Sequence, residues 1–185
     1  MYSGAESYER FLKGDRNGMQ ELVEMYRDGL LLYINSFVGN VSDAEDITED
    51  VFVELVVKKP RFNQKSSFKT WLYGIARHKA LNAVKKITRD EILKRKEHPE
   101  TPEDQESLEK QVIRDERKAA VHQALGKIRY EYRQAVYLSF FEGFTNDEIA
   151  FIMKKNKRQI ENLLYRSKLS LKKELEKEGF CYEEL

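Results

Sequence analysis

Residues 61–86 read RFNQKSSFKTWLYGIARHKALNAVKK, and this stretch decides the fold. It begins as a polar, basic segment and takes on helical periodicity from Phe68 onward. At roughly 100° of rotation per residue, the apolar side chains fall on one side of that helix. They are Phe68, Leu72, Ile75, Ala76 and Ala83. We therefore expect this side to face a core.

A second stripe flanks the apolar side, within about 60° of rotation. It consists of Trp71, His78, Asn82 and Lys85. An aromatic ring beside cationic and hydrogen-bonding groups suits the stacking of unpaired bases above a phosphate backbone. The alternative is that Trp71 is simply a core residue, and the basic charge around it favours the nucleic-acid interpretation.

The charged side chains are strongly segregated along the chain. Of the 185 residues 35% are charged, yet the formal net charge is only +1. Residues 1–57 hold 12 acidic and 4 basic side chains, residues 58–96 hold 2 and 13, and residues 149–173 hold 1 and 8. A charged run is usually a solvated face. Two basic blocks that each fall on a helical pattern indicate two surfaces for a polyanion.

The acidic N-terminal part has the periodicity of two or three amphipathic helices, interrupted by Gly39-Asn40. Ser42 or Asp43 is expected to cap the next helix. Its acidic residues lie away from the apolar side, and no histidine is near. This pattern favours a surface for a basic protein partner over a metal site.

The C-terminal part predicts a helix-turn-helix. Gly143 ends one helix, Thr145 or Asn146 caps a short one, and Asn156 separates it from a final helix. The outward side of the final helix carries side chains that can bond base edges, and nearby lysines suit phosphates. The alternative is a plain helical hairpin with a basic surface.

Several protein classes are excluded by what the sequence lacks. Cys181 is the single cysteine, and the three histidines are scattered. We find no triad, P-loop, apolar leader or apolar run of ~20 residues. We therefore expect a non-enzymatic, soluble, cytoplasmic protein with no catalytic residues, cofactor, metal or membrane insertion.

Three stretches together resemble bacterial RNA polymerase sigma factors of the small extracytoplasmic-function type. They are DAEDITEDVF (43–52), FKTWLYGIARHKALNAVKK (68–86) and YRQAVYLSFFEGFTNDEIAFIMKKNKRQIENLLYRSK (132–168). The resemblance implies an all-α protein of two small helical domains joined by a flexible linker. Residues 1–88 would be the region 2-like domain, 89–117 the Pro99- and Pro102-bearing linker, and 118–185 the region 4-like helix-turn-helix domain.

The resemblance also implies three contact surfaces and three partners: core RNA polymerase, promoter DNA and an anti-sigma factor. The polymerase-binding positions would be Asp43, Glu45, Asp46, Glu49 and Asp50. Those for the melted minus-ten element would be Lys58, Lys59, Arg61, Phe62, Asn63, Lys65, Trp71, Arg77, His78, Asn82, Lys85 and Lys86. Those for the minus-thirty-five element would be Lys157, Arg158, Gln159, Glu161, Asn162, Tyr165, Arg166 and Lys168.

This chain departs from the family pattern at some of these positions. Basic residues are usual where Glu161 and Leu163 stand, and Gln is usual where Glu49 stands. An acid in place of a base on this helix is therefore expected either to weaken DNA affinity there or to shift the preferred bases, so no minus-thirty-five sequence is carried over from the family. The alternative function is a free-standing helix-turn-helix repressor or activator with a sensing N-terminal domain, which would dimerise on palindromic sites.

Overall fold

The computed structural model describes residues 2–97, 116–177 and 179, and all regular structure in these residues is helical. The helices are α1 (Gly4–Leu12), α2 (Asn17–Val38), α3 (Val41–Lys58), α4 (Phe68–Glu97), α5 (Glu116–Lys127), α6 (Tyr130–Val136), a π-helical turn (Tyr137–Phe141), α7 (Asn146–Met153) and α8 (Lys157–Lys177). The prediction of an all-α fold with two helical parts is confirmed. We call residues 2–97 the front half and residues 116–179 the rear half.

Side-chain caps begin α1 and α3, and a left-handed glycine ends α2. Ser3 and Glu6 form a reciprocal capping box at the start of α1. Gly39 adopts a left-handed conformation (φ 69°) and ends α2, as the sequence predicts. The expected cap of α3 at Ser42 or Asp43 is wrong. Asn40 is the cap, because its side-chain oxygen accepts a hydrogen bond from the Asp43 amide at 3.1 Å.

The helix α4 is buried along two adjacent sides. Phe68, Leu72 and Ala76 face the other front-half helices and are at most 5% exposed, as the apolar periodicity predicts. Tyr73 and Thr70 lie further around the helix and are equally buried, against residues of the rear half. The front-half core therefore continues into the rear half.

The rear half has the expected helix-turn-helix. Thr145 caps α7 in a reciprocal capping box with Glu148. Asn156 and Gln159 exchange two hydrogen bonds of 2.9 Å across the first turn of α8. Ile160 and Leu164 on the inner side of α8 are buried against the rest of the rear half.

The helix α4 extends to Glu97, past residue 88, where the sequence places the end of the first domain. Rear-half helix α5 begins at Glu116, near the predicted boundary at residue 118. Pro99 and Pro102, on which the prediction of an extended linker depends, lie outside the described residues. The domain boundaries therefore stay a prediction.

Candidate polymerase and nucleic-acid interfaces

An acidic face covers the outer side of α3. The apolar side of this helix, including Ala44, Val51 and Leu55, is fully buried, which fixes the rotation of the helix. All five predicted polymerase-binding acids are exposed on it. They are Asp43, Glu45, Asp46, Glu49 and Asp50. A nearby acid, Glu54, belongs instead to the fold, because it forms an ion pair with Lys79 of α4 at 3.0 Å.

The hydrogen bond from Lys79 holds the pKa of Glu54 below its ordinary value. The Glu54 carboxylate thus joins α3 to α4 through this ion pair. It is a structural charge, distinct from the exposed acids on the outer side.

Three valines extend the acidic face toward the end of α3, and sequence reasoning missed them. Val53, Val56 and Val57 are 53%, 42% and 73% exposed. At roughly 100° per residue, Val53 and Val57 share the outer side with Asp46. The sequence did contain a signal, the adjacent valines at positions 56 and 57. They follow Leu55, the last residue of the predicted buried side, so they have no place on that side. Exposed apolar groups beside a single-sign charge are typical of a protein-docking surface.

A basic loop, residues 59–67, joins α3 to α4. Lys59 and Gln64 have left-handed backbones, with φ of 45° and 57°. The Asn63 side chain accepts a hydrogen bond from the Lys65 amide at 3.2 Å. The buried Tyr8 of α1 anchors the loop, since its hydroxyl donates to the Pro60 carbonyl at 2.8 Å. The predicted contacts of the loop, Lys59, Arg61, Asn63 and Lys65, are all exposed, as is Lys58 at the end of α3.

Trp71 lies at the edge of an aromatic cluster. Its ring centroid is 5.6 Å from Tyr8, 5.3 Å from Phe62 and 5.4 Å from Phe68. These are ordinary distances for packed aromatic pairs. Trp71 and Phe62 are each half-buried. Trp71 therefore packs on the core and still presents surface beside the basic loop, and its contact with DNA stays a prediction.

The remaining predicted minus-ten residues of α4 separate into two groups. His78, Asn82, Lys85 and Lys86 are exposed, and the first three share the stripe of Trp71. Arg77 lies about 120° from Trp71 around the helix. It is half-buried, and its buried Nε has no hydrogen-bond partner within the described residues. The structure therefore does not bring Arg77 together with the other basic residues of the stripe.

The outer side of α8 is the second basic surface. Its side chains Arg158, Glu161, Asn162, Tyr165 and Arg166 are exposed, and Tyr165 is 66% exposed. Arg can bond guanine through two hydrogen bonds, Asn can do so with adenine, and Glu can accept from cytosine. The arrangement suits a helix that lies in a major groove with these residues toward the bases.

Three other predicted minus-thirty-five residues have local roles. Gln159 is engaged with Asn156 in the cap of α8. Lys157 pairs with Asp147 of α7 at 3.0 Å, and that hydrogen bond raises the pKa of Lys157. Lys168 lies on the flank of the helix, with its Nζ 5.1 Å from the ring centroid of Phe140. These positions suit orientation of the helix and phosphate contact more than base reading.

No helix in the described part of the chain is long and apolar enough to cross a membrane. The same residues contain no group of three or more His, Cys, Asp or Glu side chains that could hold a metal ion.

Two basic helical surfaces and one acidic, partly apolar face define a class of DNA-binding protein that also docks on another protein. Residues 22–90 match the family Sigma-70 region 2, and residues 118–171 match the family Sigma-70, region 4. The acidic face and the Trp71 stripe fall in the first match, and α8 falls largely in the second. The chain belongs to the sigma-70 family, as a sigma factor of the extracytoplasmic-function type.

Curated relatives support this assignment over most of their length. The chain is 28% identical to RNA polymerase sigma-H factor of Pseudomonas aeruginosa, with 91% of each chain covered. It is 25% identical to the ECF RNA polymerase sigma factor SigW of Bacillus subtilis, with 88% of this chain and 91% of SigW covered. The N-terminal half is thus a region 2 domain, and the alternative of a sensing domain in a free-standing repressor is not favoured.

Solved structures share the fold. The sigma factor RpoE in its co-crystal with the anti-sigma factor NepR from Bartonella quintana superposes with a TM-score of 0.67 at 20% identity. That match covers 85% of this chain and 96% of RpoE. CnrH, in complex with the cytosolic domain of CnrY, superposes with a TM-score of 0.64 at 19% identity, and 94% of each chain is covered.

Proposed function

We propose that this chain is the promoter-specificity subunit of RNA polymerase and has no catalytic role of its own. It binds core polymerase through the acidic face of α3 and contacts promoter DNA through its two basic surfaces in the cytoplasm. The observation that carries the proposal is the separation of three exposed surfaces of different chemistry on one helical scaffold. Each surface falls within the matched region that would use it.

The minus-ten surface consists of the 59–67 loop and the exposed stripe of α4. Taking bases out of a duplex costs a few kcal/mol. Stacking on an aromatic side chain returns ~1–3 kcal/mol per base, so the exposed part of Trp71 offsets part of that cost. The lysines and Arg61 of the loop neutralise phosphates of the melted strand. Anchoring by Tyr8 keeps the loop in place before DNA arrives.

The minus-thirty-five surface is the outer side of α8, and it recognises the DNA element as an intact duplex. The family resemblance implies a basic residue at the position of Glu161, so for this acid we expect a reduced phosphate contribution and a preference for a cytosine edge. The rear half also exposes Phe140 and Phe141 at the π-helical turn, 56% and 44% exposed. We assign this apolar patch to contact with the flap of polymerase.

An anti-sigma factor is the third proposed partner. The solved relatives RpoE and CnrH are described in complex with NepR and with the cytosolic domain of CnrY. The acidic, valine-bearing face and the Phe140–Phe141 patch are two exposed apolar surfaces that such a partner could cover.

The decisive experiment is co-elution with core polymerase in size-exclusion chromatography. The double variant Asp46→Lys/Asp50→Lys reverses charge at the centre of the acidic face and should weaken binding by at least about tenfold, because like charges then oppose each other. Glu24→Lys/Asp28→Lys is the matched control, since both acids are exposed on α2 and the change in net charge is equal. Equal binding by both double variants, or no co-elution of the unmodified chain, would rule out the proposed docking face.

Transcription from a promoter library with core polymerase plus this chain then tests DNA recognition. We expect the selected promoters to share two sequence elements. The element closer to the transcription start, the minus-ten element, should be melted. Selection of palindromic sites without polymerase would instead indicate a repressor.

A further inference from the structure

The chain is nearly neutral as a whole but carries its two signs of charge in separate places. Its formal net charge is +1, although residues 1–57 are strongly acidic and residues 149–173 are strongly basic. A net charge close to zero leaves little overall repulsion between copies of a protein and promotes their association. Because the signs are segregated, the contact that electrostatics favours is one between unlike faces of two copies.

The acidic face of α3 has charges that nothing in the described part of the chain neutralises. The exposed carboxylates of Asp46, Glu49 and Asp50 take part in no ion pair with other described residues. At roughly 100° per residue, Asp46 and Asp50 lie within about 60° of Val53 and Val57. Read from the start of the helix, this outer column is two acids followed by two exposed valines.

The outer side of α8 has the opposite charge and the opposite order. Tyr165 and Leu169 are 66% and 45% exposed, and they lie within about 60° of Lys172 around the helix. Lys173 is also exposed and has no ion pair among the described residues, while Lys172 has only a contact of 3.8 Å with Glu176. This column is therefore apolar first and basic toward the end of the helix.

An antiparallel alignment of the two columns matches them in chemistry. If Val53 of one copy lies opposite Tyr165 of the other, equal spacing along the helices places Asp46 opposite Lys172 and Asp50 opposite Lys168. A parallel alignment on the same pair would place Glu49 opposite Glu161, which is a repulsive contact. The antiparallel alignment also brings the acidic start of α3 to the basic end of α8, so the two helix dipoles oppose each other favourably.

The size of the two helices sets the strength of such a contact. Helices of 18 and 21 residues are about 27 and 32 Å long, so their lengths differ by only about one turn. A side roughly 10 Å wide along the shorter helix is about 300 Å² on each copy. Stable complexes bury about 800 Å² on each partner, and a contact of this size is therefore weak and transient.

We propose that the chain associates weakly with itself, with the acidic face of α3 on one copy docked against the outer side of α8 on a second copy. The association is a property of the chain alone, whereas its consequence rests on the proposed function. The contact covers the polymerase-docking face of one copy and the minus-thirty-five surface of the other. Core polymerase and promoter DNA therefore compete with the second copy, and excess chain is held out of transcription.

The test is sedimentation velocity of the full chain under reducing conditions, without polymerase or DNA. At about 0.1 M salt the average mass should rise with concentration, with half-association below about 1 mM. It should return to the monomer at about 1 M salt, where charges are screened beyond about 3 Å. Asp46→Lys/Asp50→Lys and Lys168→Glu/Lys172→Glu should each be monomeric alone. An equimolar mixture of these two double variants should associate, because unlike charges again face each other at the contact.

The matched control is Glu24→Lys/Asp28→Lys, which changes the net charge as much as the α3 variant does but at exposed acids of α2. It should associate like the unmodified chain, and circular dichroism confirms that every variant is folded. A monomeric unmodified chain at about 0.1 M salt, or equal association by the α2 and α3 variants, would overturn the proposal. A mixture of the α3 and α8 variants that stayed monomeric would overturn the pairing of these two faces.

Core polymerase is added last, and we expect it to displace the second copy. A self-associated pair that remained intact on polymerase would overturn the proposed competition. Failure of the chain to co-elute with polymerase would instead contradict the proposed function and leave the sedimentation result standing.

Discussion

At the scale of single residues, Trp71 connects stability with DNA melting. Its indole packs on Tyr8, Phe62 and Phe68 and is half-buried. We expect Trp71→Ala to lower the free energy of unfolding by roughly 2 kcal/mol, less than for a fully buried Trp. The folded variant should bind polymerase normally but form fewer open complexes, measured by permanganate reactivity of unpaired thymines.

Trp71→Phe is the matched control, since it keeps an aromatic ring on the cluster and should recover most of the stability. A folded Trp71→Ala protein with undiminished open-complex formation would show that Trp71 is a core residue only.

Two neighbouring amides on α8 should behave differently, although both can pair with adenine. Gln159 caps the helix with Asn156, whereas Asn162 is exposed on the outer side. Gln159→Ala should lower the free energy of unfolding, because the reciprocal bond to the Asn156 amide is lost, and should leave base preference unchanged. Asn162→Ala should relax preference at one base pair by about 1–3 kcal/mol.

Competition binding of holoenzyme to duplexes varied in the minus-thirty-five element measures the base preference, and urea unfolding measures the stability. A changed base preference in Gln159→Ala would contradict the capping role.

At the scale of helices, capping residues explain how well the sequence predicted the elements. Thr145 and Asn146 were the two caps predicted for α7, and Thr145 is the cap, in a capping box with Glu148. The cap of α3 was predicted wrongly, because Asn40, Ser42 and Asp43 all favour capping and only the backbone decides among them. Asn40 has the extended conformation that a cap needs.

The second buried side of α4 could not be predicted from its own sequence. Tyr73 and Thr70 are covered by Phe144 and Glu148, which lie far along the chain. Helical periodicity reports which residues share a side but does not report what another domain covers. The predicted stripe and acidic face were recognisable because exposed charge is a local property, and the same helical geometry separates Arg77 from the stripe by about 120°.

The junction of α1 and α2 depends on acidic groups and should therefore be pH-sensitive. Ser7 donates to Glu21 at 2.6 Å, and Arg10 donates to both Glu21 oxygens at 2.8 and 3.0 Å. The bond from Ser7, together with that from Arg10, holds the pKa of Glu21 below its ordinary value of 4.5. The stabilisation is fully present above the unfolded-state pKa and is lost as the pH falls through the lower folded-state pKa.

We therefore expect Glu21→Gln to be less stable than the unmodified chain near neutral pH and the difference to shrink below about pH 4.5. Urea unfolding across this pH range measures it. Glu24→Gln, which removes the charge of an exposed acid on the same helix, is the control for the change in net charge. A difference for Glu21→Gln that stayed constant with pH would contradict the role of its charge.

At the scale of the whole molecule, the shared core should couple the two halves thermodynamically. The ring of Tyr73 is 1% exposed and packs on Tyr33 of the front half at 5.3 Å and on Phe144 of the rear half at 5.0 Å. Because Tyr73 packs on residues of both halves, folding of one half stabilises the other through this side chain. Substituting it should therefore loosen helices that lie outside its own half.

We expect Tyr73→Ala to cost about 3–5 kcal/mol, as for other buried aromatic side chains. We also expect faster hydrogen exchange at the α7 amides, because the cover over Phe144 is lost. Tyr26→Ala is the control, since Tyr26 packs on Phe68 within the front half at 5.9 Å. Exchange in α7 should rise only in Tyr73→Ala. Unchanged α7 exchange in that variant would mean that the halves fold independently and that their contact contributes nothing to the stability of the rear half.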